Sequence, residues 1–192
     1  MALPAPLPGE RVDIHHPRAG RVSLYADGQG DGPPMLLVHS VNAAAAASEV
    51  RPLFEHYRAS RRVFAIDLPG YGLSERSDRD YTPRLMTDAV HAALTHIRSR
   101  GVPAPVDTLG VSLGCEFLAR AAAEAPDAVR SVALVSPTAQ RGGQSGRGAP
   151  GSTRGLPWLH KALRGPGSGW GAGLFRQLTR PGVVRFFLRK TW

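Results

Sequence analysis

Apolar and polar positions along this chain fall into short blocks whose order predicts strands alternating with helices. Arg11 to His16 and Arg21 to Tyr25 read as two strands of an antiparallel edge hairpin turning at Arg18-Ala-Gly20. Ala26 to Pro34, rich in Gly, Asp and Pro, is predicted as a turn. Met35 to His39 is a continuously apolar run of the kind found in a strand covered on both faces. Ser40-Val-Asn42 opens a loop, and Ala43 to Ser60 predicts a helix with Leu53, Phe54 and Tyr57 inward. Arg62 to Asp67 predicts a second buried strand, and Thr82 to Arg100 a helix with Leu85, Ala89, Ala92, Ala93 and Ile97 near helical spacing. Val106 to Leu109, a helix from Leu113 to Ala125, and a strand from Val129 to Ser136 complete the series. The expectation is an α/β fold: a mostly parallel sheet with helices on both faces.

Beyond Pro137 the pattern changes. Residues 137–155 are Gly-, Ser- and Arg-rich and read as a flexible linker between a core of residues 1–136 and a partial helical cap over 156–192. Leu156 to Leu163, Gly173 to Leu178 and Pro181 to Trp192 are its helical segments. Val183, Val184, Phe186, Phe187 and Leu188 give the last of them an apolar face suited to a lid.

Composition narrows the function classes. With 192 residues and 42% apolar content the chain can bury one substantial core. The net charge of +9 is uneven, because no acid follows Asp127. That basic tail carries no recognisable nucleic-acid module, so specific nucleic-acid binding is not expected. The N-terminus has neither a basic n-region nor an apolar h-region, and no run approaches the ~18 apolar residues of a membrane span. A cytoplasmic protein is the expectation. The one cysteine, Cys115, forms no intramolecular disulfide and reads as a small buried helix residue. His15, His16, His56, His91, His96 and His160 lack metal-ligand spacing, so neither a metal nor another cofactor is expected.

The most informative stretch is Gly110-Val-Ser-Leu-Gly114, where a buried strand turns sharply into a helix. A serine at that bend is forced into strained backbone geometry with its hydroxyl presented outward, while the flanking glycines avoid collisions with strand and helix. Ser112 is thus a candidate nucleophile, and the Leu113 N–H, at the positive end of the helix, a candidate oxyanion donor. In an open parallel sheet the strand ends share one crevice, which should gather Ser40 to Asn42, Asp67 to Tyr71 and Ser112. Asp67 is expected to cap backbone N–H groups and shape a wall. Asn42 either contacts substrate or caps the helix after it.

Three motifs, Leu36-Leu-Val-His-Ser-Val-Asn42, Asp67-Leu-Pro-Gly-Tyr-Gly-Leu-Ser74 and Leu109-Gly-Val-Ser-Leu-Gly114, each follow a predicted strand. Together they make the region from Val12 to Ser136 resemble the α/β-hydrolase superfamily, in its cap-bearing serine-hydrolase group. The resemblance implies that the second oxyanion donor is the backbone N–H of Val41, that His39 orients the loop beside Ser40 and Asn42 at the substrate side, and that Ser40 replaces the family's usual glycine. It also implies a triad in the chain order serine, acid, histidine, with the C-terminal strands of that fold supplying the last two.

No Asp or Glu follows Asp127, and the only histidine after Ser112 is His160. The expectation is therefore a truncated form of a hydrolase that cleaves an ester, thioester, lactone or carbon–carbon bond through an acyl-serine. Serine at the elbow disfavours the aspartate-dependent dehalogenases and epoxide hydrolases of the same fold. The alternative is a non-catalytic or partner-dependent remnant, whose open sheet edge beside Val129 to Ser136 invites self-association. On either reading the expected ligand is a small ester-like molecule.

Overall fold

The computed structural model describes residues 5–101 and 105–138, and further along residues 173, 176–177, 180–183 and 185–186. The chain divides into two compact units, Met1–Gly142 and Gly143–Trp192. In the second, residues 173, 176–177, 181–183 and 185–186 are helical, within two of the three expected helical segments. The expected linker from 139 onward and the Leu156 to Leu163 helix lie outside the described residues.

The first unit is a five-stranded sheet. β1 (Glu10–His16) pairs antiparallel with the start of β2 (Gly20–Val38), as the hairpin prediction required. β3 (Arg61–Ile66) lies between the two halves of β2. Val63 to Ile66 stand opposite Asp27 back to Leu24 in one sense, and opposite Met35 to Val38 in the other. β4 (Val106–Val111) then pairs parallel with the end of β2, and β5 (Val129–Val135) parallel with β4.

Between Asp27 and Met35 the chain reverses direction against β3, as the turn expected over Ala26 to Pro34 requires, although the backbone keeps strand pairing with register shifts through the reversal. The glycines there serve close approach: a Cβ on Gly28 would overlap the Arg61 carbonyl, and one on Gly30 the Ser60 backbone. The helix expected from Ala43 is corrected. A 3-10 turn (Ala47–Val50) leads into α1 (Arg51–Tyr57), which has Pro52 in its first turn, and residues 43–46 are loop. Asn42 Oδ1 accepts the Ala44 N–H at 2.9 Å and Asp67 Oδ1 the Ala47 N–H at 2.7 Å. These bonds outweigh the intrinsic helix preference of the alanine run. α2 (Pro83–Ser99) and α3 (Gly114–Glu124) fall within the predicted spans, and the Thr82 hydroxyl caps α2 by accepting the Leu85 N–H at 3.2 Å.

Alternation along the strands supplies both layers of core. Leu36, Val38, Phe64 and Ile66 point to one face with Val90, Ala93, Ile97, Phe117 and Leu118 of α2 and α3. Met35, Leu37, Val63 and Ala65 point to the other, with Val50 and Phe54. Helices therefore cover both faces, as the continuously apolar strand runs implied.

At the start of the parallel strands, Asp107 of β4 accepts hydrogen bonds from Arg61 of β3 and from Arg130 and Ser131 of β5. Burial pushes its carboxyl up, but the Arg130 and Ser131 hydrogen bonds, with Arg61, prevail and hold it below the usual carboxylate value. The unfolded chain therefore takes up a proton before the folded one does. The stability Asp107 contributes is present above the ordinary value of 3.8 and lost as the pH falls below it. Asp107→Ala is expected to cost about 2–3 kcal/mol in urea unfolding at neutral pH, with a smaller difference from the native chain in acid.

Candidate active site

Four chain segments leave the same end of the sheet. Val38 of β2 stands opposite both Ile66 of β3 and Gly110 of β4, so His39, Asp67 and Val111 emerge side by side. Val135 of β5 stands opposite Val111 and completes the row. The crevice beyond these strand ends is where an open α/β sheet binds its ligands.

Ser112 sits at the bend with φ = 53°, in the left-handed region that costs an L-residue roughly 1–2 kcal/mol. Tertiary contacts hold it there. Its N–H donates to the Val135 carbonyl at 2.9 Å, and its carbonyl accepts the Cys115 N–H at 3.1 Å. A Cβ at Gly114 would overlap the His39 carbonyl oxygen, and one at Gly110 would lie 3.0 Å from Cys115 Cα. The two glycines thus let α3, the bend and the 39–42 loop approach one another. Val41, Tyr71 and Leu113 are partly buried against one core cluster, and Ser112 is half-buried. Among the described residues no hydrogen bond engages the backbone N–H of Leu113 or of Val41.

His39 has no exposed surface. Its Nε2 accepts the Leu68 N–H at 2.9 Å, and its Nδ1 lies 2.6 Å from the Ser40 carbonyl, to which it donates. Both ring nitrogens are committed, and the imidazole joins the 39–42 loop to the 67–74 loop. Burial holds it below the usual histidine value, against the upward pull of the Ser40 bond and of the Asp67 and Glu49 charges. Its ring also meets Tyr71 edge-on at 5.4 Å, and burial raises the Tyr71 phenol.

Asp67 is a buried hub: beside Ala47, it accepts from the Tyr25 hydroxyl at 2.7 Å and the Leu73 N–H at 2.9 Å. Its capping duty was legible in the sequence; Tyr25, from a strand far away in sequence, was not. Ser40 is buried and Asn42 exposed. Asn42 Nδ2 donates to Ser40 Oγ at 2.7 Å, so its side chain serves the loop from both ends. The residue that sequence reasoning missed is Glu49, whose carboxylate accepts both the N–H and the hydroxyl of Ser40, each at 2.7 Å. Its signal was faint: one acid among alanines just before Pro52. Cys115 is buried with Sγ 3.0 Å from the Gly110 carbonyl, and burial raises its thiol, which favours packing over reactivity. Among the described residues no cluster of three or more His, Cys, Asp or Glu is placed to hold a metal, and no helix is long and apolar enough to cross a membrane.

The sequence model of the α/β hydrolase fold matches residues 33–157, which span the bend, the 39–42 loop and the 67–74 loop. This chain belongs to the α/β-hydrolase fold family. Over 125 residues it is 34% identical to a 2-(acetamidomethylene)succinate hydrolase of Mesorhizobium japonicum, covering 65% of this chain and 41% of that protein. Over 115 residues it is 32% identical to a pimeloyl-(acyl-carrier protein) methyl ester esterase of Xylella fastidiosa, covering 60% and 40%. The crystal structure of a naproxen esterase from Bacillus subtilis superposes with a TM-score of 0.56 at 21% identity, over 69% of this chain and 45% of that one. This α/β hydrolase thus spans about two fifths of the length of those curated relatives.

Two outcomes test the geometry. Because the fold disfavours protonated His39, the unfolded chain binds that proton more readily. The stability His39 supplies is complete above its ordinary value of 6.5 and is lost as the pH falls below it. Urea unfolding at pH values on either side of 6.5 should show this decline, with a flatter profile in His39→Gln. Glycine carries no left-handed penalty, so Ser112→Gly should be more stable than Ser112→Ala by about 1 kcal/mol, read as a higher thermal midpoint. Equal midpoints would mean that the bend is unstrained.

Proposed function

We propose that this chain carries the nucleophile and oxyanion-binding part of a serine hydrolase acting on an ester, thioester, lactone or carbon–carbon bond. The observation that carries the reading is the left-handed Ser112 at the strand-to-helix turn, where a residue other than glycine is kept at a conformational cost. Ser112 Oγ attacks the substrate carbonyl, its proton passes to a base, and the carbonyl electron pair becomes an oxyanion. The free N–H groups of Leu113 and Val41 receive that charge, aided by the positive end of α3. Collapse expels the leaving group with a proton, and water then releases the acyl group from Ser112. One curated relative is named as a hydrolase of 2-(acetamidomethylene)succinate and the other as an esterase of a pimeloyl-(acyl-carrier protein) methyl ester, which supports the reaction class and leaves the acyl group open.

The base lies outside the described residues around Ser112. His39 has both nitrogens committed, and His15, His16, His56, His91 and His96 stand on β1, α1 and α2. A relay from elsewhere, of the serine, acid, histidine order that the family resemblance implies, therefore completes the mechanism. A second reading is a non-catalytic or partner-dependent form of the same fold, favoured by the lack of a base beside Ser112 among the described residues.

Covalent capture separates the two. A fluorophosphonate should modify Ser112 of the isolated chain slowly, at a rate on the order of 10³-fold or more below that of an intact triad. Added imidazole should accelerate the reaction, and Ser112→Ala should abolish it, with the modified peptide located by mass spectrometry. No modification of Ser112 at any imidazole concentration favours the non-catalytic form.

A further inference from the structure

We infer that Glu49 is a positioning residue for the oxyanion-binding loop, acting through a latch that runs from Glu49 to Ser40 to Asn42; the inference rests on the serine-hydrolase reading. Each oxygen of the Glu49 carboxylate has its own task on the same partner. Oε2 accepts the Ser40 backbone N–H and Oε1 the Ser40 hydroxyl, both at 2.7 Å. A hydroxyl has one proton to give and lone pairs to spare. Having donated to Glu49, Ser40 Oγ accepts from Asn42 Nδ2 at 2.7 Å, while Asn42 Oδ1 takes the Ala44 N–H at 2.9 Å. The direction of every bond in the chain is thereby set.

Val41 lies between the two latched residues. Its N–H lies in the peptide plane shared with the Ser40 carbonyl, which His39 Nδ1 holds at 2.6 Å, so that bond and the latch on Ser40 together aim the N–H before any substrate arrives. The Ser40 N–H is spent on Glu49, so the next N–H along the loop, that of Val41, is the one the serine-hydrolase reading assigns to an oxyanion. The latch itself is anchored. Two residues before Glu49, the Ala47 N–H is bound by buried Asp67 at 2.7 Å, and the Glu49 N–H closes a turn on the Ala46 carbonyl at 2.9 Å.

This arrangement also accounts for serine at position 40. Glycine would keep the backbone N–H but would offer neither a second proton to Glu49 nor an acceptor to Asn42. Bonds to an ionised carboxylate are short and strong, and the Glu49 side chain sits on an exposed residue, so its removal loosens the loop without opening the core.

The test uses the 192-residue chain in four forms, native, Glu49→Ala, Glu49→Gln and Ser112→Ala. It reads amide hydrogen exchange at Ser40 and Val41 alongside the rate of fluorophosphonate capture, with circular dichroism confirming equal folding. Glu49→Ala is expected to speed exchange at the Ser40 amide, whose N–H Glu49 bonds, at least 10-fold, with the unpaired Val41 amide fast in both forms. Its maximal capture rate should fall about 10- to 100-fold, with the concentration for half-maximal rate unchanged. Glu49→Gln, which keeps an acceptor for the Ser40 N–H, should lose less on both readouts. Unchanged exchange in Glu49→Ala overturns the latch, and faster exchange with an unchanged capture rate overturns its positioning role. If native Ser112 is never captured, the serine reading falls instead, and exchange alone decides whether the latch exists.

Discussion

A carboxylate without access to water is tolerable only if donors converge on it, and the Asp67 side chain is the point on which this end of the molecule turns. Its three donors come from β2, from the 3-10 turn before α1 and from the loop after β3. No one of those segments would hold its position by local preference. The alanine run before α1 favours helix, and the loop from Leu68 to Ser74 is a run of turns whose Leu68 and Tyr71 pack on the core. Satisfying one buried charge therefore fixes the relative placement of three backbone segments, and the hydrogen bonds of His39 extend that order to the 39–42 loop. Acid weakens the same framework, since a protonated Nε2 no longer accepts the Leu68 N–H.

The second constraint is steric. A strand that turns at once into a helix leaves little room for side chains, and Gly110 and Gly114 relieve the crowding while Ser112 bears the strain. The cost of the left-handed conformation is offset by the bonds to Val135 and Cys115. Those bonds need β5 and α3 in place, so the hydroxyl is presented only once the sheet has formed.

Much of this was legible in the residues. Continuous apolar runs at Met35, Arg62 and Val106 marked strands covered on both sides, and the spacing in α2 marked its buried face. Where the reading went wrong, the cause was a residue type with two uses. Gly28 and Gly30 read only as turn formers; the chain does reverse there against β3, but the same glycines also let β2 come against the Ser60 and Arg61 backbone and stay strand-paired. The alanines after Asn42 read as helix, yet side-chain acceptors on Asn42 and Asp67 claimed their N–H groups first. Glu49 went unread because a single carboxylate has no period.

By itself, then, the sequence determined the alternation of strand and helix, the sharp bend at Ser112 and the nearness of three motifs at the strand ends, because periodicity, glycine placement and strand order act locally. Tertiary structure alone decided which polar groups pair: Tyr25 with Asp67, His39 with Leu68, Glu49 with Ser40. Those partners lie between 9 and 42 positions apart. Whether two such groups meet depends on how the sheet twists and packs, which no local pattern encodes.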